Sequence, residues 1–152
     1  LNKVKITDLI KINFEKFNKN KKLNIIKEIK EDEPEIIFKD EIMYALGNII
    51  QNAILYSKKV VTIELKYLKK NVELRINDDG PGFSKDIISK IGEPYINNVS
   101  SSKNLKSGLG LGIFIGKTLL EKNLAKINCS NSKTRSGAEI NIIWRNKDLI
   151  SI

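Results

Sequence analysis

Three short stretches of this 152-residue chain carry residue types able to hold a small charged ligand. In the first, Tyr44, Asn48, Asn52 and Tyr56 recur every four residues. On a helix that spacing makes the four side chains drift along one stripe, placed roughly opposite the apolar face. Amide oxygens on such a stripe suit Mg²⁺, a hard cation that takes oxygen ligands and keeps waters and phosphates in its shell. In an asparagine-rich chain the same stripe also reads as a solvated helix face. The second stretch, Asp78-Asp79-Gly80-Pro81-Gly82-Phe83, follows an alternating strand. A carboxylate at a strand end can accept a hydrogen bond from an exocyclic amine such as that of adenine. The glycines let backbone approach a flat ring, although the same run is an ordinary turn signal. The third, Ser107-Gly108-Leu109-Gly110-Leu111-Gly112, feeds the start of a helix. Free N–H groups and the positive dipole end there suit an anion, and a tight loop with no ligand is the alternative. Gly116-Lys117-Thr118 falls inside that helix, so it is no Walker loop, and the dinucleotide spacing is missing.

Composition removes other chemistries. The chain has no histidine, which excludes Ser-His-Asp and Cys-His catalysis and imidazole metal sites. Its one cysteine, Cys129, excludes an internal disulfide and a multi-cysteine zinc site, and reads as a buried structural thiol rather than a redox sensor. There is no run of about 18 apolar residues and no signal-peptide pattern. The net charge is +9, from 27 basic and 18 acidic residues. Those cations are scattered, almost all lysine, and no aromatic ladder interleaves them, so no nucleic-acid partner is expected.

The length fits one compact domain without an internal repeat or linker. Apolar spacing predicts a helix over Ile6–Phe17 with Thr7 or Asp8 as cap. A strand is expected over Leu23–Lys30, a short extended piece over Ile36–Phe38, and a long helix from Asp40, its N-cap, to Ser57. Val60–Leu68 and Val72–Asn77 alternate around Lys69-Lys70-Asn71, a hairpin pattern. A helix is expected over Asp86–Ile91 and a mobile loop over Asn97–Ser107. A further helix runs to about Asn123, and a second hairpin joins Ala125–Ser130 to Ala138–Trp144. The fold class is therefore α+β: a two-layer sandwich of a mixed, mostly antiparallel sheet with helices on one face.

The three stretches in this order resemble the catalytic and ATP-binding domain of sensor histidine kinases, in the group named after gyrase, the Hsp90 chaperone, histidine kinases and MutL. The resemblance runs from about Ile6 to Trp144 and implies the Bergerat ATPase fold. Tyr44 to Ala53 is similar to the N box, and Asp78 to Gly82 to the G1 box. Gly92-Glu93-Pro94-Tyr95 is similar to the F box, with Tyr for the usual second Phe. Ser107 to Gly112 resembles the G2 box, and Gly137-Ala138-Glu139-Ile140 the closing strand. Gly47 to Ala53, the Gly-Glu-Pro-Tyr run and Thr118-Leu119-Leu120-Glu121 resemble the RegB/PrrB branch.

The resemblance implies ATP and Mg²⁺ as ligands. Asn48 would ligate the metal, Asn52 would hold phosphate or support it, and Tyr56 would pack on the adenine or ribose. Asp78 would accept the adenine amine while Gly80 and Gly82 shape its pocket. Gly108, Gly110, Leu111 and Gly112 would present backbone amides to phosphate, with Asn97–Ser107 as a lid. Leu55 departs from the pattern, standing where many members carry a cation; Lys58, Lys59, Lys103 or Lys106 are candidate substitutes.

With no histidine of its own, such a domain would pass the γ-phosphoryl group to a histidine on a separate dimerisation domain, for relay to a response regulator. Hydrolytic relatives place a Glu four residues before the first N-box Asn. Tyr44 stands there, a poor base at neutral pH, which favours transfer over hydrolysis. The alternatives are an ATP-hydrolysing module of the same group, a serine-phosphorylating relative, and a nucleotide-binding module without transfer. The expected setting is a piece of a homodimeric kinase, a cytoplasmic domain anchored at the inner membrane through upstream segments.

Overall fold

The computed structural model describes residues 2–18, 20–29, 32–92 and 111–150. Its order is β1 (Lys3–Val4), α1 (Ile6–Phe17), β2 (Lys22–Glu28), β3 (Ile36–Ile37), α2 (Asp40–Tyr56), β4 (Val60–Tyr67) and β5 (Asn71–Asp78). Then follow α3 (Lys85–Gly92), α4 (Leu111–Lys122), β6 (Lys126–Asn131), β7 (Ala138–Arg145) and α5 (Asn146–Leu149). Five strands form one sheet in the order β2-β4-β5-β7-β6, and β1 pairs with β3 beside it. Only β2 and β4 run parallel in the larger sheet; α2 makes the crossover between them. The hairpins β4–β5 and β6–β7 stand where alternation places them, joined through the antiparallel pair β5–β7.

One face of the sheet is apolar and covered. Val61, Ile63 and Leu65 of β4, Val72, Leu74 and Ile76 of β5, and Ile140, Ile142 and Trp144 of β7 are all buried. These alternate positions share one side of a pleated strand. Against them lies α2, itself flanked by α1 and α4. The other face carries Glu64, Arg75 and Glu139, where Arg75 pairs with both carboxylates and Arg135 reaches Glu64 at 3.3 Å. These pairs are partly exposed and contribute little each.

The two long helices start without the caps expected. The caps are Lys5 and Lys39, in extended conformation and without a side-chain bond to the helix. At α1 the free donors are met from far along the chain. The Glu33 carboxylate accepts from the Thr7 N–H at 3.1 Å and from the Thr7 hydroxyl, and the Tyr67 hydroxyl donates to it at 3.3 Å. Burial, with the Glu33 charge beside it, pushes the Tyr67 hydroxyl pKa upward.

Candidate functional site

The site is built around α2, held between two helices by glycines. At Gly47 an added Cβ would stand 2.9 Å from Asn13 Oδ1 on α1. At Gly116 of α4 it would stand 3.0 Å from Ile49 Cγ1 and 3.1 Å from the Ala45 carbonyl oxygen. Both distances are shorter than an ordinary carbon contact, so the absence of side chains sets how closely the helices lie.

Clamped this way, the stripe is not uniformly turned to solvent. Tyr44 is 60% exposed, whereas Asn48, Asn52 and Tyr56 are half-buried. The expectation that the stripe opposes the apolar face therefore holds only at Tyr44. The four-residue spacing carries later members round toward the packed side. Asn48 donates its amide N–H to the Tyr44 carbonyl at 3.1 Å, and its oxygen accepts no bond among the described residues. A Cβ on Gly112, in the first turn of α4, would sit 3.7 Å from that oxygen. The N box thus meets the last glycine of the third stretch, with Leu111 beside it at the first position of α4. Gly108 and Gly110, the 97–107 loop with Lys103 and Lys106, and residues 93–95 of the F box lie outside the described residues.

The second stretch closes under the end of α2. Asp78 is the last residue of β5 and 4% exposed. Its Oδ1 accepts from the Gly80 N–H at 2.8 Å and from the Ala138 N–H at 3.4 Å, leaving the second oxygen for another donor. Burial pushes its carboxyl pKa above the ordinary value, against the two amide bonds, and the neighbouring Asp79 charge adds to the rise. A Cβ on Gly80 would stand 2.0 Å from the Tyr56 carbonyl oxygen, so the turn touches the last residue of α2. Gly82 has φ +87° and rests against Asn131.

Three positioning groups here were not singled out as site residues by the sequence. Asp79 accepts from three successive amides, Lys58 at 2.6 Å, Lys59 at 3.1 Å and Val60 at 3.3 Å. Burial pushes its carboxyl up, but those amides outweigh it and hold the pKa below the ordinary value. Asn131 accepts from the Phe83 N–H at 2.7 Å and donates to the Phe83 carbonyl at 2.9 Å. Gly137, φ +94°, lies against the Asp78 carbonyl. Their partners are 19 to 48 residues away for the first two, so no local pattern marks them.

Among the described residues no group of three or more His, Cys, Asp or Glu could hold a metal. A cation held mainly by a ligand's own phosphates needs no such cluster, and Asn48 has an amide oxygen of the type such a cation takes. Leu55 is 67% exposed and lines a surface cavity of about 400 Å³ with Lys16, Phe17, Asn18, Lys21, Gln51 and Ile54. Of the two lysines lining it, Lys21 is engaged: its Nζ donates to the carbonyls of Ser57 at 2.5 Å and Lys58 at 3.1 Å, capping the end of α2. The amides of Lys58 and Lys59 serve Asp79, while both residues are exposed. Glu41 pairs with Lys122 at 3.0 Å, an α2-to-α4 contact that keeps this carboxylate away from Tyr44's position. Cys129 is partly buried on β6; burial raises its thiol pKa to about 11, with Lys117 opposing.

The fold and this clamped frame go with a family match that marks an ATPase domain. Residues 39–147 match the family described as histidine kinase-, DNA gyrase B-, and HSP90-like ATPase, and the chain belongs to it. It is similar to sensor histidine kinase RegB of Cereibacter sphaeroides, 32% identical over 129 residues, which cover 75% of this chain and 28% of that protein. It is also similar to sensor protein KdpD of Clostridium acetobutylicum, 37% identical over 86 residues, covering 55% of this chain and 10% of that protein. The chain thus spans under a third of these curated relatives. The fold matches the mycobacterial sensor histidine kinase MprB with TM-score 0.70 at 19% identity, covering 95% of this chain and 96% of that one. It also matches the nucleotide-free catalytic domain of histidine kinase ThkA, with TM-score 0.68 at 18% identity and 95% coverage of each. Among the described residues no helix is long and apolar enough to cross a membrane.

Proposed function

We propose that this domain is the ATP-loaded half of a two-component sensor histidine kinase, binding ATP with Mg²⁺ and presenting its γ-phosphoryl group to a histidine on a dimerisation domain, for relay to a response regulator. The observation that carries the reading is the placing of two complementary ends on one frame. Among the described residues the Asn48 amide oxygen accepts no bond and faces the first turn of α4, and the Asp78 turn meets the last residue of α2 through Gly80.

In this reading Asp78 accepts the adenine amine, Gly80 and Gly82 form the wall of the base pocket, and Tyr56 packs on the base or ribose. Asn48 holds the metal, and Asn52 supports it or contacts phosphate. Leu111 and Gly112, opening α4, turn backbone amides to the phosphates, and Gly108 and Gly110, which lie outside the described residues, are assigned to the same phosphate-binding stretch. Bound Mg²⁺ supplies charge neutralisation across the phosphate oxygens. Phosphoryl transfer asks the protein chiefly for positioning and electrostatic stabilisation. Neither of the two side chains weighed as a base serves as one: Tyr44 is a phenol, and Glu41 is held by Lys122. An outside imidazole is already a nucleophile, whereas water would need activation.

The test is to mix the chain with radiolabelled ATP, Mg²⁺ and histidine-bearing dimerisation domains. Label on protein that is acid-labile and base-stable is expected. Release of free phosphate with no labelled protein would replace this reading with a hydrolytic one. The full protein would be a homodimer with its anchor outside this segment.

A further inference from the structure

We propose that Asp79 is a positioning residue for base selectivity, fastening the Asp78 turn to the end of α2 so that adenine recognition stays in register with the metal-holding face of that helix. The proposal rests on the adenine reading of Asp78.

Asp78 and Asp79 are adjacent carboxylates with opposite surroundings. Asp78 is buried at the end of a strand whose register is fixed by its pairing with Val61. Asp79 turns the other way, into three consecutive amides that open β4. A carboxylate has acceptor sites enough for all three, and bonds to an ionised acceptor are roughly twice as strong as neutral ones. Residues 58–60 directly follow α2, so this clamp sets where Tyr56 lies above the turn. The contact leaves no slack: the Tyr56 carbonyl occupies the space a Gly80 side chain would need. Gly80 in turn gives its N–H to Asp78 Oδ1, the bond that fixes which carboxylate oxygen is left for a ligand. The far end of the same turn is pinned separately, by Asn131 on Phe83. Release of Asp79 therefore lets Gly80 shift and Asp78 rotate while the rest of the turn stays tied. Asn48 is about two helical turns back from Tyr56, on a helix held between α1 and α4, and should feel this little.

The consequence is specific to the base. Inosine triphosphate keeps the ribose and phosphates of ATP but carries a carbonyl in place of the exocyclic amine and an N–H in place of the bare ring nitrogen beside it, so the ratio of the two affinities reads the base edge that Asp78 faces in this reading. Calorimetry with ATP and with inosine triphosphate, both with Mg²⁺, is compared for the wild-type chain, Asp79→Ala and Asp79→Asn. The preference for ATP is expected to fall about tenfold in Asp79→Ala, the scale of one hydrogen bond lost to a buried group. Affinity for inosine triphosphate should change far less. Asp79→Asn retains one acceptor oxygen and should keep part of the preference; it decides the matter if Asp79→Ala does not fold. An undiminished preference in a folded variant, or an equal loss of affinity for both triphosphates, overturns the proposal. A wild-type chain that binds both equally overturns the adenine reading itself, a result seen before any variant is made.

Discussion

Gly137 lies flat against Asp78. A Cβ at Gly137 would stand 1.9 Å from the Asp78 carbonyl oxygen and 2.7 Å from its Oδ1, and the glycine holds φ +94°. The β6–β7 turn therefore packs directly on Asp78, although it comes some 60 residues after the carboxylate it supports.

Gly137→Ala combines a disfavoured backbone region with a clash against main chain. We expect it to lower stability by about 2–4 kcal/mol, from strain and overpacking together. A urea titration would show this as a lower midpoint at unchanged slope. An unchanged midpoint would mean that the turn moves freely.

Asp78→Asn separates folding from binding. An amide oxygen still accepts from Gly80 and Ala138, while the cost of burying an ionised carboxylate disappears. Stability at neutral pH should hold or rise. The amide nitrogen would face the adenine amine donor to donor, so ATP affinity should fall by about 1–3 kcal/mol. Unfolding and calorimetry on one sample check both, and retained ATP binding would remove Asp78 from the base pocket.

Asn48→Ala should weaken ATP binding only when Mg²⁺ is present. With the metal chelated, wild type and variant should bind alike, because the lost oxygen serves the cation. Parallel titrations with and without a chelator would show it, and an equal loss in both would give Asn48 a direct phosphate or packing role.

Cys129 gives a pH signature. Its folded pKa, about 11, lies above the reference value of 9.0, so the folded state holds the proton more tightly than the unfolded one. Its contribution is complete below pH 9 and is lost as pH rises from 9 toward 11. Cys129→Ala should flatten that part of the stability curve, and alkylation of the native thiol at pH 8 should be slow. Rapid modification there would show the thiol to be open.

Tyr44→Phe should leave labelling of the acceptor histidine unchanged, since no proton at this position is used. Its exposed ring also makes the substitution neutral for folding, within about 0.5 kcal/mol. A large drop in transfer rate at full nucleotide affinity would give the hydroxyl a role.

Much of this was legible because periodicity reports burial directly. Ile42, Leu46, Ile49, Ile50 and Ala53 mark the packed side of α2, and Val61/Ile63/Leu65 with Val72/Leu74/Ile76 mark the covered side of a hairpin. What the sequence withheld depends on distant partners. The parallel pairing of Lys22–Glu28 with Val60–Lys66 has no local signature, because it is made across the whole of α2. The capping of α1 by Glu33 is invisible for the same reason, and Thr7 read as a cap when its hydroxyl instead donates to that carboxylate. The strand Lys3–Val4 and the single turn Asn146–Leu149 are too short for any period to show. At the site, Asp78 and Asn48 stood out by type and spacing. Asp79 and Asn131 did not, because each works on backbone brought near only by folding.

The missing side chain at Gly116 reaches further than its own contact. The residue touches Ile49 and Ala45, one turn along α4 from the point where Gly112 meets Asn48. Any bulk added there would act as a wedge, prising the Asn48 end of the frame open while Asp78, anchored in the sheet, stayed in place. On the proposed reading, the grip on the two halves of a nucleotide would thus be loosened independently, from a position that touches neither.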